Sequence, residues 1–130
     1  MRYILAVTAE KAAVEIIRTA FRRSFSVDEA VTVRGGLDLF GKRRYEFIFI
    51  DLALIDGSAG GGDDPLRGFK QAFPSAEIIV MTPPEGIREA VEAVKAGAAN
   101  YITYPLNADE VRYVAESIHE SIRAQSELDY

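Results

Sequence analysis

A chain of 130 residues suits one domain built around one core. Its formal charge of −5 and its hydrophobic content of 48% argue against a basic nucleic-acid-binding surface and against a disordered acidic tail. With no cysteine there is no disulfide, no thiolate nucleophile and no zinc site of the usual kind, and no stretch reaches the roughly 18 apolar residues of a membrane span.

Apolar runs and amphipathic segments then alternate along the chain. Tyr3 to Val7 is short and continuously apolar, as a strand covered on both faces should be. The run is too brief for a secretory signal, so a cytoplasmic location is expected. Glu10 to Arg23 carries Val14, Ile17 and Phe21 at helical spacing, with Glu15, Arg18 and Arg22 facing elsewhere. Ser26 to Val33 alternates and reads as a second strand nearer an edge. Gly36 to Arg43 reads as a short helix, and Phe47 to Ile50 as a buried third strand.

Leu54 to Asp64 is expected to be loop, with Gly57, Gly60, Gly61 and Gly62 leaving its backbone few preferences. Pro65 to Phe73 predicts a short helix, with Asp63 or Asp64 placed to cap it. Glu77 to Thr82 is a fourth strand. Glu85 to Ala96 is a fourth helix with Ile87, Val91 and Val94 inward and Gly97 just past its end. Asn100 to Thr103 makes a short fifth strand. Asn107 or Asp109 opens a last helix whose buried stripe is Val111, Val114, Ile118 and Ile122.

Five strands alternating with five helices imply an α/β fold, a doubly wound parallel sheet with helices on both faces. Right-handed crossovers and one reversal of winding make 2-1-3-4-5 the expected strand order. Residues 1–130 form one domain with no internal repeat, and the last helix, running into Tyr130 without a stop signal, leaves room for a longer regulator. In such a sheet the chemistry sits at the C-terminal strand ends. There Asp51 closes the third strand, with Thr8 and Glu10 after the first and Thr82 at the end of the fourth.

Four landmarks in order resemble the receiver domain of bacterial response regulators, a flavodoxin-like (βα)5 fold. Phe47-Ile48-Phe49-Ile50-Asp51-Leu52-Ala53-Leu54 is similar to the segment presenting the phospho-accepting aspartate. Val80-Met81-Thr82 matches the strand ending in the switch hydroxyl. Glu89-Ala90-Val91-Glu92-Ala93-Val94-Lys95-Ala96-Gly97-Ala98 is similar to the family's fourth helix and its glycine exit. Tyr101-Ile102-Thr103-Tyr104-Pro105-Leu106 aligns with the fifth-strand motif, in which a lysine normally precedes the proline.

The resemblance implies that Asp51 occupies the position that takes a phosphoryl group from a histidine kinase. Magnesium, held by acids after the first strand, would neutralise the charge, with a lysine and the Thr82 hydroxyl contacting the phosphoryl group. Three departures bear on this. The acidic pair is replaced by Thr8-Ala9, so that only Glu10 remains beside Asp51 as a metal-binding candidate. The lysine position is Tyr104, neutral near pH 7. Ile55 replaces a common proline, and Gly60-Gly61-Gly62 with Asp63-Asp64 lengthens the following loop.

The losses belong together. A lysine without its carboxylates would be a poorly paired, partly buried cation, whereas Asp51 alone can accept hydrogen bonds from Thr8, Thr82 or Tyr104. A lone carboxylate is a poor cage for magnesium, so weak or absent Mg2+ and impaired phosphorylation are expected. The alternative keeps Asp51 as a working phospho-acceptor with metal support from Glu10, Asp56 or Asp63. A second alternative is a small flavodoxin-like nucleotide binder or enzyme using the Gly57 to Gly62 run, which lacks both GxGxxG spacing and a GK[ST] ending.

Plainer readings stand beside these. Asp51 is also readable as a solvated strand-end acid, Thr82 as a β-former, Glu10 as a first-turn acid favoured by the helix dipole, and Tyr101 and Tyr104 as half-buried packing residues. The pocket is thus assigned to Asp51, Thr8, Glu10, Ala53, Thr82 and Tyr104. The expected role is a protein-interaction module in two-component signalling, not an enzyme, that meets a histidine kinase or another signalling protein, with no direct nucleic-acid or membrane contact. Helix 4, strand 5 and helix 5 would form the partner or homodimer face, with Tyr101, Arg88, Glu92, Lys95, Arg112 and His119 upon it.

Overall fold

The computed structural model describes residues 2–56, 71 and 75–128, with only the backbone described for Phe40, Asp56, His119 and residues 121–128. Five strands run β1 Tyr3–Val7, β2 Ser26–Ala30, β3 Phe47–Asp51, β4 Glu77–Thr82 and β5 Asn100–Thr103. Among the described residues the helices are α1 Lys11–Ala20, α2 Val33–Phe40, α3 Leu52–Asp56, α4 Ile87–Lys95 and α5 Ala108–Leu128. The 3-10 turn Pro84–Gly86 leads into α4. All strand pairs are parallel and the order is β2-β1-β3-β4-β5, as the alternation of elements required.

The sheet divides the core into two layers by the period-two alternation of its side chains. Ile4, Ala6, Phe47, Phe49, Ile79, Met81 and Ile102 pack under α1 and α5, against Val14, Ile17, Phe21, Val111 and Val114. Leu5, Val7, Ile48, Ile50, Ile78 and Val80 pack on the other face with Leu52, Ala90 and Ala93. Burial of each large side chain contributes about 1.5–3 kcal/mol, which is why the continuous apolar runs of β1, β3 and β4 occupy the centre.

Several local expectations are corrected. Val33 opens α2 and does not end β2, because Thr32 is a working cap whose Oγ1 accepts from the Gly35 N–H at 3.0 Å. Leu54 and Ile55 lie in the short helix α3 and not in a loop. Glu10 sits at the N-cap position of α1, before its first turn, and makes no side-chain cap. On α4 the buried residues are Ala90 and Ala93, while Ile87 is 37% exposed and Val91 only partly covered. The helix lies close to the sheet, so small residues face inward and the larger ones turn outward.

The expected loop residues 57–64, the helix at 65–73, Asp63 and the glycine run lie outside the described residues, apart from position 71. The expected start of α5 resolves to Asn107, whose Oδ1 accepts from the N–H groups of Asp109 and Glu110 at 2.9 and 3.2 Å. Gly97, at φ 131°, ends α4 in the left-handed region that an L side chain rarely adopts. At the β2 edge, Arg18 Nη2 donates to the Val27 carbonyl at 3.3 Å and lies 3.9 Å from Glu29 Oε1.

Candidate functional site

The strand registers bring four side chains to one rim of the sheet. Val7 lies beside Ile50, Asp51 beside Met81, and Thr82 beside Thr103. Thr8, Asp51, Thr82 and Tyr104 therefore stand at consecutive C-terminal strand ends, around the point where winding reverses between β1 and β3. Thr8 and Thr82 are buried, whereas Asp51 and Tyr104 are partly covered.

Asp51 is held by neutral donors. Thr8 Oγ1 donates to its Oδ2 at 3.2 Å, and Tyr104 Oη donates to the same oxygen at 3.1 Å. The Ala53 N–H donates to Oδ1 at 3.2 Å, closing a turn over the strand end. Thr8 is itself fixed by two backbone bonds. Its N–H donates to the Ala30 carbonyl at 2.9 Å, and its Oγ1 accepts from the Glu10 N–H at 3.0 Å. Tyr104 is tied back to β4, its N–H donating to the Thr82 carbonyl at 2.9 Å.

Burial pushes the Tyr104 phenol above the ordinary tyrosine range. The neighbouring Thr8 hydroxyl acts against that rise, while the charge of Asp51, the bond to it and the charge of Glu10 add to it. The phenol is therefore a neutral donor at any physiological pH, a role a lysine could fill only as a cation.

Thr82 does not join this cluster. Its Oγ1 donates to the Pro83 carbonyl at 2.8 Å, so of the three expected donors to Asp51 only Thr8 and Tyr104 reach it. Glu10 contributes its backbone N–H to the site, and its side chain is exposed. Asp56 lies in α3, with only its backbone described. Among the described residues no three His, Cys, Asp or Glu side chains converge as a metal cluster. Among the described side chains the rim offers one carboxylate, Asp51, and the two hydroxyls that donate to it.

The expected partner face separates into parts. Arg88, Glu92 and Lys95 are exposed on α4, with Lys95 Nζ 3.6 Å from Glu92 Oε1, and Tyr101 packs partly against the layer beneath them. Arg112 is exposed on α5. It is paired with Asp109 at 3.0 Å and lines a crevice with Ala20, Phe21 and Phe25 at the end of α1, because Val111 and Ala115 claim the sheet side of α5. His119 lies on α5. Sequence reasoning missed an apolar crevice of about 430 Å³ beside Tyr104, lined by Glu10, Ala12, Ala13, Ile16, Pro105 and Leu106. Its only signal was the small-residue pair Ala12-Ala13 on a helix facing the chain turn at Pro105.

Comparison with known proteins gives a consistent result. The family described as "Response regulator receiver domain" matches residues 4–116. The photosynthetic apparatus regulatory protein RegA of Rhodovulum sulfidophilum is 33% identical over 96 residues, covering 74% of this chain and 51% of RegA. The regulatory protein LuxO of Vibrio cholerae is 33% identical over 97 residues, 75% of this chain and 20% of LuxO. The chain thus spans about half or less of these relatives. Among solved structures, a response regulator from Burkholderia pseudomallei with a phosphorylated aspartic acid, calcium ion and citrate has a TM-score of 0.72 at 29% identity, covering 99% of this chain and 75% of that one. NtrX from Brucella abortus has a TM-score of 0.81 at 23% identity, covering 98% of this chain and 29% of NtrX, a likeness of fold.

Proposed function

The chain belongs to the response regulator receiver domain family, and from that premise we propose that it is an atypical receiver in two-component signalling, a docking module whose Asp51 takes a phosphoryl group poorly. Receiver domains interact with histidine kinases and other signalling proteins, and they bind Mg2+ at the phosphorylation site. The finer reading rests on one observation: both Thr8 and Tyr104 donate to Asp51 Oδ2. The carboxylate is satisfied by uncharged hydroxyls where phosphoryl transfer calls for a metal ion and an ammonium group.

Loss of those two charges from an anionic transition state costs several kcal/mol, or orders of magnitude in rate. The proposed role is therefore signalling by binding, with α4 and β5 offering the partner or homodimer face through Arg88, Glu92, Lys95 and Tyr101. Arg112 and His119, on α5, complete that assignment only where a partner also reaches α5. Residues 1–130 are proposed as one receiver unit, with any attached output module lying outside it.

A second reading, in which Asp51 is phosphorylated with unconventional metal support, draws on the partial exposure of this carboxylate. Incubation with magnesium and acetyl phosphate, read by intact-mass spectrometry, separates the two. We expect no stable adduct of about 80 Da on the native chain. The T8D/A9D/Y104K triple variant, which restores the acidic pair and the cation, should gain one that Asp51→Asn abolishes. An adduct on the native chain, absent from Asp51→Asn, would establish the second reading instead.

A further inference from the structure

The chain enters β1, β2 and β3 at one end of the sheet, opposite the rim that carries Asp51. There the Ser26 N–H donates to the Arg2 carbonyl at 2.9 Å and the Glu46 N–H to the Tyr3 carbonyl at 3.0 Å. The α1–β2 and α2–β3 turns thus close on either side of the start of β1. Arg2 joins the two turns directly. Its guanidinium makes two 2.9 Å bonds to the Glu46 carboxylate and lies 4.4 Å from the centre of the Phe25 ring. Arg43 is held in a similar way, 3.2 Å from Asp28 Oδ2 and 4.7 Å over the Tyr3 ring.

Those two arginines are committed to the fold, but four further cations on the same turns are not. Arg22 and Arg23 follow α1, Lys42 and Arg44 follow α2, and all four are exposed. No ion pair reaches them from any described residue. Asp28 is taken by Arg43 and Tyr45, and Glu46 by Arg2, while Glu77 opens β4 beyond β3. A chain of net charge −5 therefore keeps a positive end. Beside Arg22 a groove of about 390 Å³ lies between α1 and β2, lined also by Thr19, Phe25 and Ser26.

We propose that this positive end of the sheet is a docking surface for an acidic protein segment, with Arg22, Arg23, Lys42 and Arg44 as its anchors. Charge selects an anionic partner, and the surroundings select its class. Carboxylates spaced along a peptide can each take one guanidinium or ammonium group. A nucleic acid asks for a longer run of phosphate contacts and, when single-stranded, for open aromatic faces. Here Arg2 and Arg43 already lie over the Phe25 and Tyr3 rings, and the net negative charge of the chain repels a polyanion. An anionic membrane asks for apolar side chains to insert, and the exposed large ones among the described residues, Val31, Ile87 and Tyr113, lie elsewhere. The surface shares no residue with the α4–β5 face and does not involve Asp51, so its test is separate from the mass-spectrometric one.

The test is fluorescence anisotropy with a labelled peptide of about 12 residues, glutamate at alternate positions, titrated with the native protein in about 50 mM salt. Binding should weaken as salt rises and be absent when glutamine replaces glutamate in the peptide. R22E/R44E should weaken it by at least about tenfold. K11E/R34E makes the same change in net charge at the opposite end of the sheet, on exposed residues, and should weaken it less than about twofold. If R22E/R44E does not fold, R22Q/R44Q with K11Q/R34Q as its control carries the same comparison. Amide shifts on binding should cluster in residues 22–26 and 41–46. No binding by the native protein, equal loss in the two reversal variants, equal binding of the glutamine peptide, or shifts centred elsewhere would each overturn the proposal. So would duplex DNA or phosphatidylserine vesicles binding this surface more tightly than the peptide.

Discussion

Oδ2 of Asp51 accepts from two hydroxyls at once, and these can be removed one atom at a time. Tyr104→Phe deletes a hydrogen bond to a charged group that is partly open to water, so we expect a loss of about 1–2 kcal/mol in urea unfolding. The pH dependence has a definite sign. Burial first, then the charge of Asp51 and the bond to it, raises the phenol pKa on folding against the opposing pull of Thr8. A group raised in this way is held protonated by the fold. Its contribution is complete below the unfolded value of about 10 and is lost as pH climbs through the folded value. Tyr45, raised by burial and by its bond to Asp28, acts in the same direction. Urea midpoints should therefore be flat from neutrality to about pH 9 and fall above about pH 10, less steeply in Tyr104→Phe. Identical alkaline slopes in the two proteins would contradict this account of Tyr104. The pairing of Tyr104 with Asp51 was legible in the sequence because both residues end parallel strands. The orientation of Thr82 was not, since its hydroxyl donates to the Pro83 carbonyl, a rotamer choice that strand periodicity does not reveal.

Helix α4 shows where apolar periodicity misleads. Ile87, Val91 and Val94 form a regular stripe, yet the buried positions are Ala90 and Ala93, one residue around the helix. Size decided it: the close approach to β4 and β5 admits methyl groups and leaves branched side chains at the margin. Ala90→Leu should accordingly cost about 1–3 kcal/mol through overpacking, while Ile87→Ser should stay within about 0.5 kcal/mol. Denaturant titration of the two variants checks this, and a larger loss from Ile87→Ser than from Ala90→Leu would reverse the assignment. The strands β3, β4 and β5 were legible almost to the residue because each is an apolar run closed by a polar or turn residue. The start of α2 was harder to read, since Val33 looks like a strand residue until Thr32 is recognised as its cap.

Parallel order and two-sided coverage followed from the alternation of elements alone, as the topology bears out. Phe49 lies in the middle strand with no exposed surface and packs at 6.2 Å from the Phe21 ring. Phe49→Ala should cost about 3–5 kcal/mol and lower the single unfolding transition as a whole, which calorimetry can follow; two separate transitions would show that the layers do not share one core. The two borders of the sheet differ. Along β2 the guanidinium of Arg18 already sits on the Val27 carbonyl, with Glu29 close by. A strand from another molecule arriving there would have to evict a hydrogen-bonded cation before it could zip on. Ribbon-like polymerisation is thus discouraged along that border, so copies of this protein stacking edgewise at high concentration would have to join through the opposite one.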